Sequence, residues 1–523
     1  MNLFRTYAKQ AVRISCFAFF IFLAACQEQK EAAPKQATDK LRIVTSFRVQ
    51  SLEPVRPASY FLIEFALAEL PLMLSAAGRL EPNLLESYSR IDERNWRLVL
   101  RPNIKFQNGK PLTAVAMASA MNRQLERSTS AKAVLPGAKV AVTSERELVL
   151  ITANPDPTVP AALADELVFP IYDVEAVEAA NGDNIKLIAG GCFTGPYRAV
   201  SLDERELRMI RFDEYWQGRP PLSQVSVRFI GDPQARVLAV QNDEADIALY
   251  PPSEAQQMLA GAGGAFFVTN PRSHGGPRIF LNIRQHPFDE IAPRRAFSFG
   301  INYESLARDV MEGIGETATG FYPPVYPWAV QNQKSNEAEA KQLLDEAGWR
   351  VGGDGVRVKN GQALEVTLLV YPQQPDWAKL ATAMQAQLRE VGFRLRIRQV
   401  EDINAAMKSQ TGWHAAINSP GLVTTGGAPD PFLREHLYSR GERNFGGVSD
   451  TELDRLLNEL SSTFDEESRN EILRRLQQIL MVEKIYEVRP VFLRSRAVVG
   501  KRWRHYQPSP QLHHITWETK SDH

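Results

Sequence analysis

The chain is poor in cysteine, with only Cys16, Cys26 and Cys192. The first two fall in the N-terminal segment considered next, so Cys192 is expected to stand alone and no intrachain disulfide is expected in the mature chain. A structural zinc site needs several closely spaced Cys or His ligands, and the eight histidines are scattered. An excess of charge of either sign is missing as well. Lys plus Arg and Asp plus Glu number 61 each, which gives no electrostatic reason to expect a nucleic-acid or membrane-surface partner. No internal repeat, low-complexity tract or second long apolar run is present. The catalytic patterns G-x-S-x-G and H-E-x-x-H and the P-loop are absent too, so nothing promotes an enzyme.

What is present begins at the N-terminus. Arg5, Lys9 and Arg13 lead into an uncharged apolar stretch from Ile14 to Ala25, ending Leu23-Ala24-Ala25-Cys26. Such a stretch suits a secretory signal and falls short of the roughly 20 residues that span a bilayer. Small residues followed by a cysteine resemble a bacterial lipobox. Residues 1–26 are therefore expected to be a lipoprotein signal with Cys26 the lipidated residue. Buried acyl chains, at about 0.8 kcal/mol per CH₂, would make that anchoring lasting. Residues 27–40 are polar and read as a flexible tether.

At 523 residues the chain is too long for one hydrophobic core, so two or three domains are expected. Leu41 to Thr45 reads as a strand, and Trp96 to Arg101 alternates with the period of a half-buried strand. Asn108-Gly109 signals a turn, and Thr113 to Leu125 a helix. Further on, Asn336 is placed to cap a helix whose stripe is Ala340, Leu343, Leu344 and Ala347, with Gly348 as its stop. Leu364 to Val370 reads as a strand, and Trp377, Leu380, Met384, Leu388 and Val391 recur at helical spacing. After Gly392, alternating Phe393, Leu395 and Ile397 predict another strand, so a parallel pair joined by a crossover helix is expected. Two amphipathic helices are predicted over 452–460 and 466–482.

Several segments, in order, resemble the family 5 extracellular solute-binding proteins, the periplasmic oligopeptide-, dipeptide- and nickel-binding group. They are Phe106-Gln107-Asn108-Gly109-Lys110-Pro111-Leu112-Thr113-Ala114 ending at Arg123, Thr194-Gly195-Pro196-Tyr197, and Asp213-Glu214-Tyr215-Trp216 with Gly218 and Pro220. Asp243-Glu244-Ala245-Asp246-Ile247, Arg294-Arg295-Ala296-Phe297 and Glu346-Ala347-Gly348-Trp349 complete the set. Asp243 replaces a usual glycine, and Asp is among the residues that visit positive φ. The resemblance implies an α/β periplasmic-binding-protein fold of two lobes, with an inserted subdomain, mixed sheets flanked by helices and a ligand cleft at the hinge. It places lobe I at 41–275 with the insertion near 85–190, lobe II at 280–490, and 491–523 as a C-terminal segment returning to lobe I. It further implies a substrate-binding lipoprotein on the periplasm-facing side of the cell membrane, delivering a small solute to an ABC importer permease, with no resident cofactor or metal.

The ligand stays open between a small peptide and a nickel or other metal chelate. In peptide-binding members an aspartate shortly before a "DPD"-like segment pairs with the ligand amine, and here that position falls on or near Thr425. Gly427-Ala428-Pro429 before Asp430-Pro431 looks more like the nickel-binding branch, whose metal-contacting histidine aligns near 441–443, past His436. Arg443-Asn444-Phe445-Gly446-Gly447 resembles a chelate-binding subgroup, where guanidinium forks suit carboxylates. The expected ligand-contacting residues are Arg48, Tyr250, Asn282, Tyr322, Thr425, Gly426, Arg443 and Asn444. Trp216 and Cys192 are expected in the core, and His513-His514 as a solvated pair in the tail. The alternative to a binder is an enzyme acting on a small molecule in the same cleft.

Overall fold

The strand Lys40–Thr45 carries buried Leu41, Ile43 and Val44 and lies inside an eight-stranded sheet. It runs parallel to Gln224–Phe229 on one side and to Ile247–Leu249 on the other. Beyond Ile247–Leu249 the C-terminal strand Phe492–Gly500 joins antiparallel, and Ala265–Gly275 pairs with its far edge. The chain's last long strand is thus in the same sheet as its first described one. The computed structural model describes residues 39–56, 59–75, 79–261, 263–419, 427–509 and 513–522. Cys26 with the expected signal and almost all of the tether, and the candidates Thr425 and Gly426, lie outside the described residues.

A second sheet has the strand order 394–399, 365–370, 415–418, 278–281, 487–488. The expected crossover unit is its core: Glu365–Val370 pairs parallel with Arg394–Gln399. Helix Asp376–Val391 connects them and buries Trp377, Leu380, Met384, Leu388 and Val391. Gly392, at φ 106, closes that helix in the left-handed region, where a glycine suffers no Cβ clash. Asn336 caps helix Glu337–Glu346, its Oδ1 accepting from the Glu339 N–H at 3.1 Å. A separate four-stranded antiparallel sheet spans residues 85–151 in the order 85–90, 95–100, 147–151, 139–142. The architecture is α/β and two-lobed, with mixed sheets flanked by helices.

Two short direct crossings join the two large sheets, from Gly275 to Arg278 and from Val488 to Phe492, and the strand Gly315–Glu316 returns to the first sheet between them. These crossings run close together. A Cβ on Gly276, whose φ is +141, would fall 2.5 Å from the Val491 carbonyl oxygen. Only glycine fits there.

The family-like motifs hold the first lobe together. Gln107 Nε2 donates to the carbonyls of Leu67, Gly195 and Tyr197 at 3.2, 3.0 and 2.8 Å. A side chain at Gly195 would strike the Ala66 and Leu67 carbonyls. Tyr215 Oη and Trp216 Nε1 both donate to Glu69, at 2.7 and 3.2 Å. Burial pushes the Glu69 carboxyl up to about 7, against the pull of those donors. Trp216 is half-buried and packs against the first-lobe core, with its indole N–H on this buried carboxylate. Asp243 does adopt positive φ, at 58°, and Asp246 accepts from Arg42 Nε at 3.0 Å. Cys192 is fully buried, and burial lifts its thiol to about 12.

Candidate functional site

Glu64 stands out as a carboxylate in an apolar run. It ends the short helix Phe61–Glu64, whose four residues are all buried. Its backbone carbonyl accepts from the His514 N–H at 2.9 Å, which fastens the C-terminal tail to this helix. Its Oε2 has no hydrogen-bond partner among the described residues, and lies 3.9 Å from His514 Nε2. Tyr250 Oη lies 3.5 Å from the same ring nitrogen. Tyr506 Oη donates to the His514 carbonyl at 3.2 Å, and Phe47 meets Tyr250 edge-on with centroids 5.0 Å apart. Tyr250 follows the strand Ile247–Leu249 with φ 51, a strained value for a bulky residue.

The electrostatics of the group are set by burial. Burial pushes the Glu64 carboxyl up to about 8, and burial followed by the Glu64 charge raises Glu166 well above the carboxylate range. Tyr250 is raised by burial and then by Glu64, Tyr60 and Glu166. His514 and His513 are driven down by burial to about 3 and about 4, so both are neutral. Tyr60 is raised by burial, Glu64, Glu166 and also Tyr371, which follows the strand Glu365–Val370 of the second sheet. Tyr371, on the second lobe, thus lies near enough for its charge to act on Tyr60. Such an arrangement can hold a positively charged group, since two buried carboxyls ionise most readily beside a cation.

The lobes also touch directly. Asp376 Oδ1 accepts from the Ser253 N–H at 3.1 Å, and Asp376 pairs with Arg496. Lys379 donates to Ser253 Oγ at 2.8 Å and pairs with Glu254. In a second patch the Arg90 guanidinium sits 4.4 Å from the Phe464 ring centroid. This is a closed arrangement.

The sequence-predicted residues scatter across it. Tyr250 lies in the acidic cluster. Arg48 does not; its side chain is 48% exposed and pairs with Glu204 at 3.6 Å. Asn282 is buried, but its amide donates to the Gln410 and Trp413 carbonyls at 2.9 and 3.2 Å and its Oδ1 accepts from Arg284. That saturates it as a clamp at a strand end. Asn444 is likewise consumed by the turn it stands in, bonding the Tyr438 and Val448 backbones. Arg443 is 43% exposed and pairs with Glu435 at 3.1 Å. Tyr322 is buried against Arg278 and Arg489, away from Tyr250's neighbours. His514 is not solvated: it is buried, with its backbone N–H bonded to the Glu64 carbonyl and its own carbonyl to Tyr506 Oη, while His513 is half-buried. Glu64, Glu166 and Tyr60 were missed, although a lone glutamate inside Tyr60-Phe61-Leu62-Ile63-Glu64-Phe65-Ala66-Leu67 is itself a signal, because an unpaired charge is seldom buried without use.

Among the described residues no group of three or more His, Cys, Asp or Glu side chains is placed to hold a metal ion. No helix among them is long and apolar enough to cross a membrane.

Two lobes closed on an interior polar cluster define a solute-binding protein. The chain belongs to the bacterial extracellular solute-binding proteins, family 5, whose "family 5 Middle" model matches residues 79–444. It is 24% identical over 415 residues to the nickel-binding protein NikA of Staphylococcus aureus, covering 78% of this chain and 80% of that one. The solved structure of Staphylococcus aureus NikA in complex with Ni(L-His)2 superposes with a TM-score of 0.80 at 21% identity, covering 92% of this chain and 100% of that one. The oligopeptide-binding protein AppA of Bacillus subtilis, in complex with a nonapeptide, gives 0.77 at 19% identity, covering 93% and 99%. At these identities the structures speak for the fold, which they share with this chain.

Proposed function

We propose that this protein is the solute-capturing lipoprotein of an ABC importer, and that its solute brings positive charge into the cleft beside Glu64 and Glu166. The observation that carries this reading is the fully buried Glu64 carboxyl, one oxygen of which has no hydrogen-bond partner among the described residues. A cation there relieves the repulsion between the two acids and gives Glu64 a partner. Tyr60, Tyr250, Tyr371 and the neutral His514 supply the surrounding polar and aromatic contacts. A small metal chelate fits this chemistry best. The described residues offer no cluster for a bare ion, so the metal would arrive with its own ligands. A one-to-one nickel–histidine chelate, as in the Ni(L-His) complex of NikZ from Campylobacter jejuni, keeps a positive charge, whereas a bis-histidine complex is neutral. A short peptide, entering by its ammonium, is the second reading. The AppA complex favours it, while the uncharged Thr425 at the amine position weighs against it.

Cys26 is the lipid attachment point in this reading, holding the mature chain on the extracytoplasmic face beside its permease. The protein binds without turnover, and the solute is recovered unchanged. Calorimetry of purified protein against nickel, nickel–histidine, opine chelates and short peptides tests the reading. One-to-one binding of a cationic member, lost in Glu64→Gln, is expected. Binding only of anionic solutes, or consumption of the bound one, refutes it.

A further inference from the structure

The face of the second sheet that meets the helices Asp430–Leu437, Thr451–Leu460 and Glu466–Gln478 is lined by an apolar cluster including Phe321, Phe432 and Leu433. Two arginines are buried against it. Arg278, on the interior strand Arg278–Leu281, and Arg489, just past the neighbouring edge strand Glu487–Val488, are each 0% exposed. They flank one ring: their guanidinium carbons lie 5.3 and 4.5 Å from the Phe321 centroid. Among the described residues one carboxylate serves the pair. Glu487 accepts from Arg278 Nε at 2.7 Å and pairs with Nη2 of the same side chain. The next acid, Asp430, is held by Arg469 at 2.6 and 2.8 Å.

That leaves Nε, Nη1 and Nη2 of Arg489, Nη1 of Arg278 and the hydroxyl of Tyr322 without hydrogen-bond partners among the described residues. Arg489 is not loose. Its backbone N–H donates to Gln333 Oε1 at 3.0 Å, and its carbonyl accepts from Gln333 Nε2 at 2.8 Å. A guanidinium stays charged under ordinary conditions, and burying one without a counter-ion is strongly unfavourable. Burial and then the Arg278 charge push Arg489 well below its usual value, and nearby His436 is neutral, so no adjacent histidine adds charge. Among the described residues the cluster carries one uncompensated positive charge and several buried donors without partners.

We propose that Arg489, Arg278 and Tyr322 form a buried site for one small anion, a carboxylate or an inorganic ion of similar size. Guanidinium forks match a carboxylate, and a tyrosine hydroxyl adds a third donor. The anion has two possible sources, a carboxylate of the transported solute or an ion that resides in the folded lobe. Only the first rests on the cleft reading above.

The test reads thermal unfolding of the full protein, dialysed into gluconate, a bulky anion, and titrated with formate and with chloride at constant ionic strength. Saturable stabilisation is expected in the wild type. Tyr322→Phe removes one hydrogen bond to a charge and should raise the half-saturating formate concentration roughly tenfold or more, and Arg489→Met should abolish the response. Tyr322→Phe keeps the test alive if Arg489→Met fails to fold. If saturating formate weakens nickel–histidine binding, the solute's carboxylate is the occupant; if it does not, the occupant is a resident ion. A wild type that shows no saturable response, or one that Tyr322→Phe and Arg489→Met share, overturns the proposal. Because the unfolding readout needs no solute in the cleft, failure here is distinct from failure of the cleft reading.

Discussion

Replacing Glu64 by glutamine keeps the shape of the side chain and removes its ionisation. The folded carboxyl is pushed by burial to about 8, from an ordinary value of 4.5. Between those two pH values the unfolded chain has released a proton that the folded protein still holds, so stability falls as pH rises and levels off above about 8. Each pH unit in that window costs about 1.4 kcal/mol for one proton. From pH 6 to pH 8 the wild type should lose up to about 2.7 kcal/mol that the variant keeps. Other titrating groups largely cancel in the comparison. Glu166, relieved of the Glu64 charge, relaxes towards the ordinary range and adds to the difference. Urea unfolding of both proteins at the two pH values reads it directly. The gap should widen in favour of Glu64→Gln on going to pH 8. Binding should move the other way: a cation favours the ionised pair, so affinity of the wild type rises with pH up to about 8, by at most about tenfold per unit for one proton displaced, and Glu64→Gln loses that slope. Parallel stability profiles for the two proteins would refute the assignment of a buried, proton-holding Glu64.

Three further perturbations address the frame around the cluster. Gly276→Ala puts a methyl against the Val491 carbonyl at positive φ, and should cost more than about 2 kcal/mol, whereas Gly231→Ala, with open space around its Cβ, should be near neutral by the same thermal melts. Asp376→Asn breaks a buried pair with Arg496 that joins the lobes; it should loosen closure, costing about 3 kcal/mol, seen as weaker solute binding and a larger radius of gyration in X-ray scattering. Gln107→Ala removes three hydrogen bonds to backbone carbonyls and should destabilise by about 2–3 kcal/mol in urea while leaving solute affinity unchanged, because that side chain braces the lobe and touches no cleft group.

The fold was legible because its signals are local. A strand, a glycine-closed helix and a second strand within residues 364–399 dictate a parallel crossover, and the two strands pair in parallel as expected. The family-like motifs were legible for the same reason, and the structure shows what they do: Gln107, Gly195 and Tyr215 fasten backbone to backbone in the first lobe. Residues selected for bracing say little about cargo. The acidic cluster is drawn from positions 60–64, 166, 250 and 514, brought together by a sheet that joins the two ends of the described chain. No spacing rule links them. Asn282 and Asn444 show a related difficulty, since an amide beside an expected cleft segment also bonds backbone carbonyls around it, which sequence does not reveal.

The contacts between the lobes explain why a solute should be needed at all. Asp376 with Arg496 is deeply buried, with side-chain exposures of 1% and 10%, so it is sensitive to geometry and stabilises only the closed form. Lys379 with Glu254 is about one-third exposed on both sides, and pairs of that kind contribute little. Against these stands the acidic wall, where burial raises two carboxyls and holds Glu64 protonated. An empty cleft thus carries opposing terms, and shifting such a balance from mostly open to mostly closed takes about 5.5 kcal/mol of differential binding. On the proposed reading a cation beside Glu64 acts on the unfavourable term itself, restoring the charged form of the acid that burial suppresses. Closure is then a report of positive charge in the cleft, and a neutral solute of equal size, which leaves the acid pair protonated, should bind without producing it.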